Sequence, residues 1–171
     1  MTTSEEITTA EPVKEYPLNS SADICLSALS FGMGKQEAEA AVNAPLDEEL
    51  LNPFYSNYND VSVDLDERLN SAMFSYGESG LDEIALYSGA RPENESFELR
   101  DKLIEQLSGI YGFAAEDWEI ENGGITNYCE NDNVSAYIRL YTADGLTSVT
   151  LMITSSEHRN FKDVAPKPVL Q

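Results

Sequence analysis

Basic residues are scarce in this chain, with ten Lys and Arg against 31 Asp and Glu, which gives a net charge of −21 at pH 7. A surface of that sign repels phosphate groups, so the composition argues against direct binding of nucleic acid or of an anionic membrane. The chain also lacks any apolar run near the ~18 residues that a membrane-spanning helix needs. The charge instead favours cations and basic proteins as partners.

Histidine occurs once, at His158, so any triad built on histidine would have to use that residue. The chain has no nucleophile elbow, no glycine-rich phosphate loop and no His/Cys spacing typical of zinc sites. We therefore predict no catalytic residue, no metal site and no cofactor.

Cysteine is also rare, and Cys25 and Cys129 form no CxxC pair. They are either two reduced thiols in a cytoplasmic protein or one disulfide in a secreted or periplasmic one. The N-terminal residues have neither a basic start nor an apolar segment, which favours the cytoplasm. A mature, processed form of an exported chain would look the same, so the second location stays open.

The acids are unevenly distributed, and the stretch from Leu46 to Arg68 holds seven of them together with three aromatic rings. Its spacing does not match a calcium-binding EF-hand loop, which needs oxygen ligands at alternate positions and a glycine at the sixth. Averaged over a folded surface, the net charge is about fourfold more dilute than that of a DNA duplex. Mimicry of nucleic acid would therefore require the acids to gather on one face.

Tyrosines among acids suit an interface for an Arg-rich protein, through ion pairs and cation–π contacts. We predict an acidic face centred on residues 37–67, although solvated surfaces and tyrosines that anchor a loop would give the same pattern. The predicted partner-binding residues are Asp47, Glu48, Glu49, Tyr55, Tyr58, Asp60, Asp64, Asp66 and Glu67.

Three functions are compatible with these observations. The first is a non-enzymatic acidic protein that binds a basic partner, for example an inhibitor or antagonist of a nucleic-acid-binding protein. The second is an extracytoplasmic accessory domain closed by a Cys25–Cys129 disulfide. The third is a hydrolase that uses two carboxylates facing each other across a cleft.

The hydrophobic pattern predicts a disordered tail over 1–20, one domain over 21–160 and a loose tail over 161–171. Helical spacing follows Ser20 and recurs over 35–43, 61–76 and most clearly over 94–112, with a helical turn at 46–51 and a loop over 52–59. Residues 81–87 fit a strand or a helix equally well.

Alternation of apolar and polar residues begins after the last helix and predicts strands over 118–121, 125–129 and both arms of a hairpin. Asp144-Gly145 is typical of a two-residue turn, which pairs Leu140 with Val149 and puts the apolar residues of both arms on one side. The other side of the hairpin is not strongly polar, which predicts that another element or chain covers it. The expected fold is α+β, with helices in the N-terminal two-thirds packed on a C-terminal antiparallel sheet of three to four strands.

Overall fold

The structure is a computed structural model, and it describes residues 19–20, 22–43 and 54–155. Within these ranges the strands are β1 (Asn19–Ser20), β2 (Asp23–Ile24), β3 (Tyr55–Asn59), β4 (Ser62–Val63), β5 (Leu69–Gly77), β6 (Gly80–Ser88), β7 (Glu119–Glu121), β8 (Thr126–Glu130), β9 (Val134–Ala143) and β10 (Leu146–Ser155). The α-helices are α1 (Lys35–Ala41) and α2 (Glu93–Tyr111). The predicted tails over 1–20 and 161–171 and the helical turn at 46–51 lie almost entirely outside these ranges.

Eight strands form one sheet in the order β1-β3-β5-β6-β10-β9-β8-β7, while β2 and β4 pair separately. The large sheet is antiparallel apart from the two-residue parallel contact of β1 with β3. Its centre lies where β6 meets β10, so the two halves of the chain contribute equally to it. None of the helices in the described part of the chain is long and apolar enough to span a bilayer.

The predicted division into N-terminal helices and a small C-terminal sheet is therefore wrong. The predicted helix over 61–76 is largely β5, the predicted loop over 52–59 contains β3, and residues 81–87 belong to β6. In β5 the buried residues alternate with half-buried ones, so the period of two governs this segment although its leucines also fit a helical spacing. The helical signal after Ser20 gives only β2 and a single 3₁₀ turn at Leu26–Ala28.

The C-terminal hairpin has the predicted register. Leu140 pairs with Val149, Ile138 with Leu151, and Ala136 with Ile153. Asp144 and Gly145 both have positive φ angles, of 56° and 81°, as this type of turn requires. The predicted helices over 35–43 and 94–112 are also confirmed, as α1 and α2.

Both helices pack on one side of the sheet, which we call the first face. On α2, Leu99, Leu103 and Leu107 are fully buried at helical spacing in the main core. The strands fill the same core with alternate side chains, among them Phe74, Ile84, Leu86, Ile138 and Leu151. Since these side chains point towards the helices, the residues between them point to the opposite side, the second face.

The second face is made of three rows that cross the sheet from β3 to its far edge. Strand pairing defines the rows as Tyr55-Ser75-Glu83-Thr154-Ser135-Glu130, then Asn57-Met73-Ala85-Met152-Tyr137-Tyr128-Glu119, and then Asn59-Ser71-Tyr87-Thr150-Arg139-Thr126-Glu121. The middle row is the most apolar and contains a small cluster separate from the main core, formed by Tyr128, Tyr137 and Met152.

Candidate functional site

The loop of residues 64–68 joins β4 to β5 and runs alongside α2. Arg68 Nη1 lies 3.2 Å from Glu98 Oε1 near the start of the helix. Lys102 Nζ lies 3.9 Å from Asp66 Oδ2 one turn later. Burial raises the pKa of Tyr111 at the end of the helix, and the nearby Asp64 carboxylate raises it further. These contacts bring acids from the predicted stretch against the acidic outer side of α2.

Asp66 fixes the conformation of this loop. Its carboxylate accepts hydrogen bonds from Arg68 Nε and Nη2, both at 2.9 Å, and from the Arg68 backbone N–H at 2.8 Å. These bonds favour the ionised form, so the pKa of Asp66 lies below its ordinary value although partial burial acts in the opposite direction. The Arg68 guanidinium is therefore already hydrogen-bonded to Asp66 and Glu98.

Five exposed carboxylates surround this contact, and we call them the loop–helix acidic surface. They are Asp64, Glu67, Glu98, Asp101 and Glu105. The three on α2 are spaced three and four residues apart and therefore lie along one stripe of the helix. The neighbouring bases are already engaged, since Arg100 Nε donates to Asp101 at 3.0 Å and Arg68 and Lys102 both lie within 4 Å of Asp66. Acids outnumber bases in this region even when Asp66 is counted with its partners.

Of the nine predicted partner-binding residues, the six that the structure describes do not form one exposed face. Asp64, Asp66 and Glu67 come together in the loop, but Asp66 is buried. Asp60 is exposed in the turn after β3. Asp47, Glu48 and Glu49 lie outside the described residues.

Tyr55 and Tyr58 lie on opposite sides of β3, because three residues along a strand reverse the direction of a side chain. Tyr55 is 42% exposed on the second face, whereas Tyr58 is 1% exposed in the core. The Tyr58 ring meets Phe74 edge-on, with ring centroids 5.3 Å apart. Burial is the main reason that its pKa is raised, with smaller contributions from Tyr76 and Glu39. Tyr58 is therefore a core residue that stabilises the fold in this structure.

A buried polar cluster that the sequence pattern does not predict links α1 to β3 and β5. Lys35 Nζ donates to Glu39 Oε2 at 2.9 Å, to Ser56 Oγ at 3.0 Å and to the Tyr55 carbonyl at 2.7 Å. Ser56 Oγ donates to the same Glu39 oxygen at 2.5 Å and lies 2.9 Å from Tyr76 Oη. Lysine and glutamate four residues apart can be read from the sequence, but their contact with β3 depends on the tertiary fold.

This cluster contains the residue types of a serine–lysine catalytic pair, but its hydrogen bonds serve to attach α1 to the sheet. A lysine acts as a general base only through a free lone pair, whereas Lys35 Nζ donates three hydrogen bonds in this cluster. Ser56 is also buried, so a substrate has no direct approach to its hydroxyl. The cluster holds α1 against the sheet.

Two grooves bring pairs of carboxylates together, as the hydrolase hypothesis requires. One, of about 390 Å³, is lined by Glu78, Asp82 and residues of the neighbouring loops. The other, of about 280 Å³, is lined by Asp82, Glu83 and the exposed ring of Tyr55. Asp82 and Glu83 are both buried, whereas Glu78 is exposed. The hydrolase therefore stays a prediction.

Both cysteines are free thiols in this structure. Cys25 is exposed, with its Sγ 3.2 Å from Ser27 Oγ. Cys129 is buried in β8, and burial together with the Asp117, Glu130 and Glu119 carboxylates raises its pKa to about 11. The disulfide expected for an extracytoplasmic domain is not formed here.

Over the residues that the structure describes, no group of three or more His, Cys, Asp or Glu is arranged to hold a metal ion. The loop–helix acidic surface attracts cationic groups, and Asp66 with its partners holds the loop in place.

No family model matches this chain, and neither a curated protein nor a solved structure does.

Proposed function

We propose that this protein is a non-enzymatic acidic binding protein that engages a basic partner through the loop–helix acidic surface. The observation that supports the proposal is the packing of the 64–68 loop against α2, which places exposed acids from two distant parts of the sequence side by side. An antagonist of a nucleic-acid-binding protein is one form of this function, because such a target presents Arg and Lys for phosphate contacts.

The energetics of exposed charges determine how such a surface would act. A single exposed ion pair contributes only about 0.2–1 kcal/mol, so affinity must come from several pairs acting together. Complementary charge mainly accelerates encounter and selects the partner, and both effects weaken as salt is added. The Asp66–Arg68 contact favours binding by holding Asp64 and Glu67 on an ordered loop, which lowers the entropy lost on association.

A charge-reversal experiment tests the location of the surface. The triple variant Asp64→Lys, Glu67→Lys, Glu105→Lys changes three exposed acids of the loop–helix acidic surface. The matched control reverses three exposed acids near the far edge of the sheet, namely Glu116→Lys, Glu121→Lys and Asp132→Lys. Both variants change the net charge by the same amount.

Binding of a fluorescent Arg-rich peptide is then measured by anisotropy at low salt and at about 0.5 M salt. We expect the first variant to weaken binding by about tenfold or more and the control by much less, with binding by the native chain lost at high salt. Equal weakening by the two variants would show that only net charge matters. Binding that survives high salt unchanged would remove charge as its basis.

A further inference from the structure

The second face of the sheet is buried at its centre although none of the described helices or loops packs on it. Ala85, Ser135 and Thr154 are fully buried there, and Tyr137 is nearly so. The elements that could cover a sheet face, α1, α2 and the β2–β4 ladder, contribute their buried residues to the core on the first face. On an antiparallel sheet with one uncovered face that face stays solvated, so the complete burial of these small side chains indicates that further atoms lie above them.

The chemistry of this face indicates what kind of segment fits it. The middle row offers Met152 and the two tyrosine rings of the small cluster as an apolar strip. Four carboxylates, Glu83, Glu119, Glu121 and Glu130, lie on this face against the one cation Arg139 of the three rows, and Tyr128 Oη donates to Glu130 Oε1 at 2.6 Å. The face is therefore negatively charged on balance, and a segment with apolar side chains and lysine or arginine complements it.

We propose that residues 156–171 of this same chain fold back over the second face and cover it. They follow directly on β10, the strand that carries Met152 and Thr154. The segment holds three of the chain's ten basic residues within sixteen positions, together with the apolar side chains Phe161, Val164, Val169 and Leu170. This is the composition that the face requires, in a chain where bases are otherwise rare.

The segment is also long enough. Sixteen residues reach about 50 Å when extended, whereas either margin of the face is about three strand spacings from β10, or roughly 15 Å. The C-terminal tail, expected to be loose from the sequence, is then a docked segment, whether or not the protein has the proposed binding function.

Carbodiimide cross-linking of the unmodified full-length chain tests this directly, because the reagent joins a lysine to a carboxylate only when the two are in contact. Peptide mapping by mass spectrometry is expected to find Lys162 or Lys167 linked to Glu83, Glu119 or Glu130 within one molecule. Links from Lys14 of the N-terminal segment to these carboxylates instead would overturn the proposal. So would links between chains, detected by mixing ¹⁴N- and ¹⁵N-labelled protein, because a second copy would then be the cover.

Methionine oxidation provides an independent readout in the full chain. Phe161→Asp is expected to increase the rate at which hydrogen peroxide oxidises Met152 several-fold, while Met33, which packs against the core on the first face, keeps its rate. The matched control Ile7→Asp places the same charge in the N-terminal segment and should leave Met152 protected. An increase with Ile7→Asp, or none with Phe161→Asp, contradicts the assignment. A rise at both methionines would signal unfolding, and the cross-linking of the native chain then decides.

Discussion

Replacement of Glu39 by glutamine should destabilise the protein far more than the same change in an exposed ion pair. Glu39 accepts hydrogen bonds from Lys35 and Ser56 through one carboxylate oxygen, and its side chain is only 4% exposed. The variant Glu39→Gln keeps the size of the side chain but removes its charge. The Lys35 ammonium would then remain in the cluster without its counter-ion.

The size of the effect follows from the burial of the two partners. Loss of one partner from a fully buried ion pair costs about 3–5 kcal/mol, and loss of a hydrogen bond to a charged group about 1.5–3 kcal/mol. Lys35 is 16% exposed and can partly turn to water, which places the expected loss near the lower range, at about 2 kcal/mol. The second Glu39 oxygen, Oε1, has no hydrogen-bond partner among the described residues, so an amide NH₂ in its place would be buried without an acceptor and would add to the loss.

The structure supplies a matched control in Arg91 and Glu95, which have the same four-residue spacing but are 27% and 44% exposed. Glu95→Gln should cost about 0.5 kcal/mol or less. Urea unfolding followed by the fluorescence of Trp118 measures both variants, provided that the m-value stays constant. If Glu39→Gln cost no more than Glu95→Gln, burial would not strengthen the Lys35–Glu39 pair.

Two further predictions concern glycine and pH. Gly80→Ala should cost more than about 2 kcal/mol, because φ is +99° and a Cβ would clash with the Gly32 carbonyl group. Gly109→Ala in α2, where a Cβ would meet no atom within 4 Å, should instead stabilise the protein by about 0.5–1 kcal/mol. Thermal unfolding of both variants checks the opposite signs. Because the pKa of Asp66 is lower in the folded state, its contribution to stability is complete above the ordinary value of about 4 and is lost as pH falls towards the folded value. Asp66→Asn should therefore reduce stability at neutral pH and flatten its decline between about pH 4 and lower pH, as urea unfolding at a series of pH values would show.

The parts of the fold that the sequence predicted are those with local determinants. The hairpin follows from the two-residue turn and one apolar face, and α2 follows from leucines at helical spacing. Strand β6 has neither kind of signal, because the run from Leu81 to Leu86 is buried on both sides of the sheet and shows no alternation. Such a strand becomes recognisable only through its partners β5 and β10.

In the candidate site, too, the sequence predicted the features with local determinants and missed those that depend on distant residues. The excess of acids in the loop is visible in the sequence, and Asp64 and Glu67 are exposed as expected. The burial of Asp66 was missed because it depends on Lys102, which is distant in the sequence, as well as on Arg68. Tyr58 was misplaced because β3 was expected to be a loop, and only a strand sends Tyr55 and Tyr58 to opposite sides.

The pairing of β6 with β10 at the centre of the sheet has a consequence for synthesis on the ribosome. Strands β5 and β6 can form a hairpin early, but β6 gains its other neighbour only when β10 has been synthesised. During that interval a strand with two apolar sides presents an open backbone edge, which is a template for association between nascent chains. A net charge of −21 makes such chains repel one another, so the acidity that dominates the sequence also opposes association while β6 lacks its second partner.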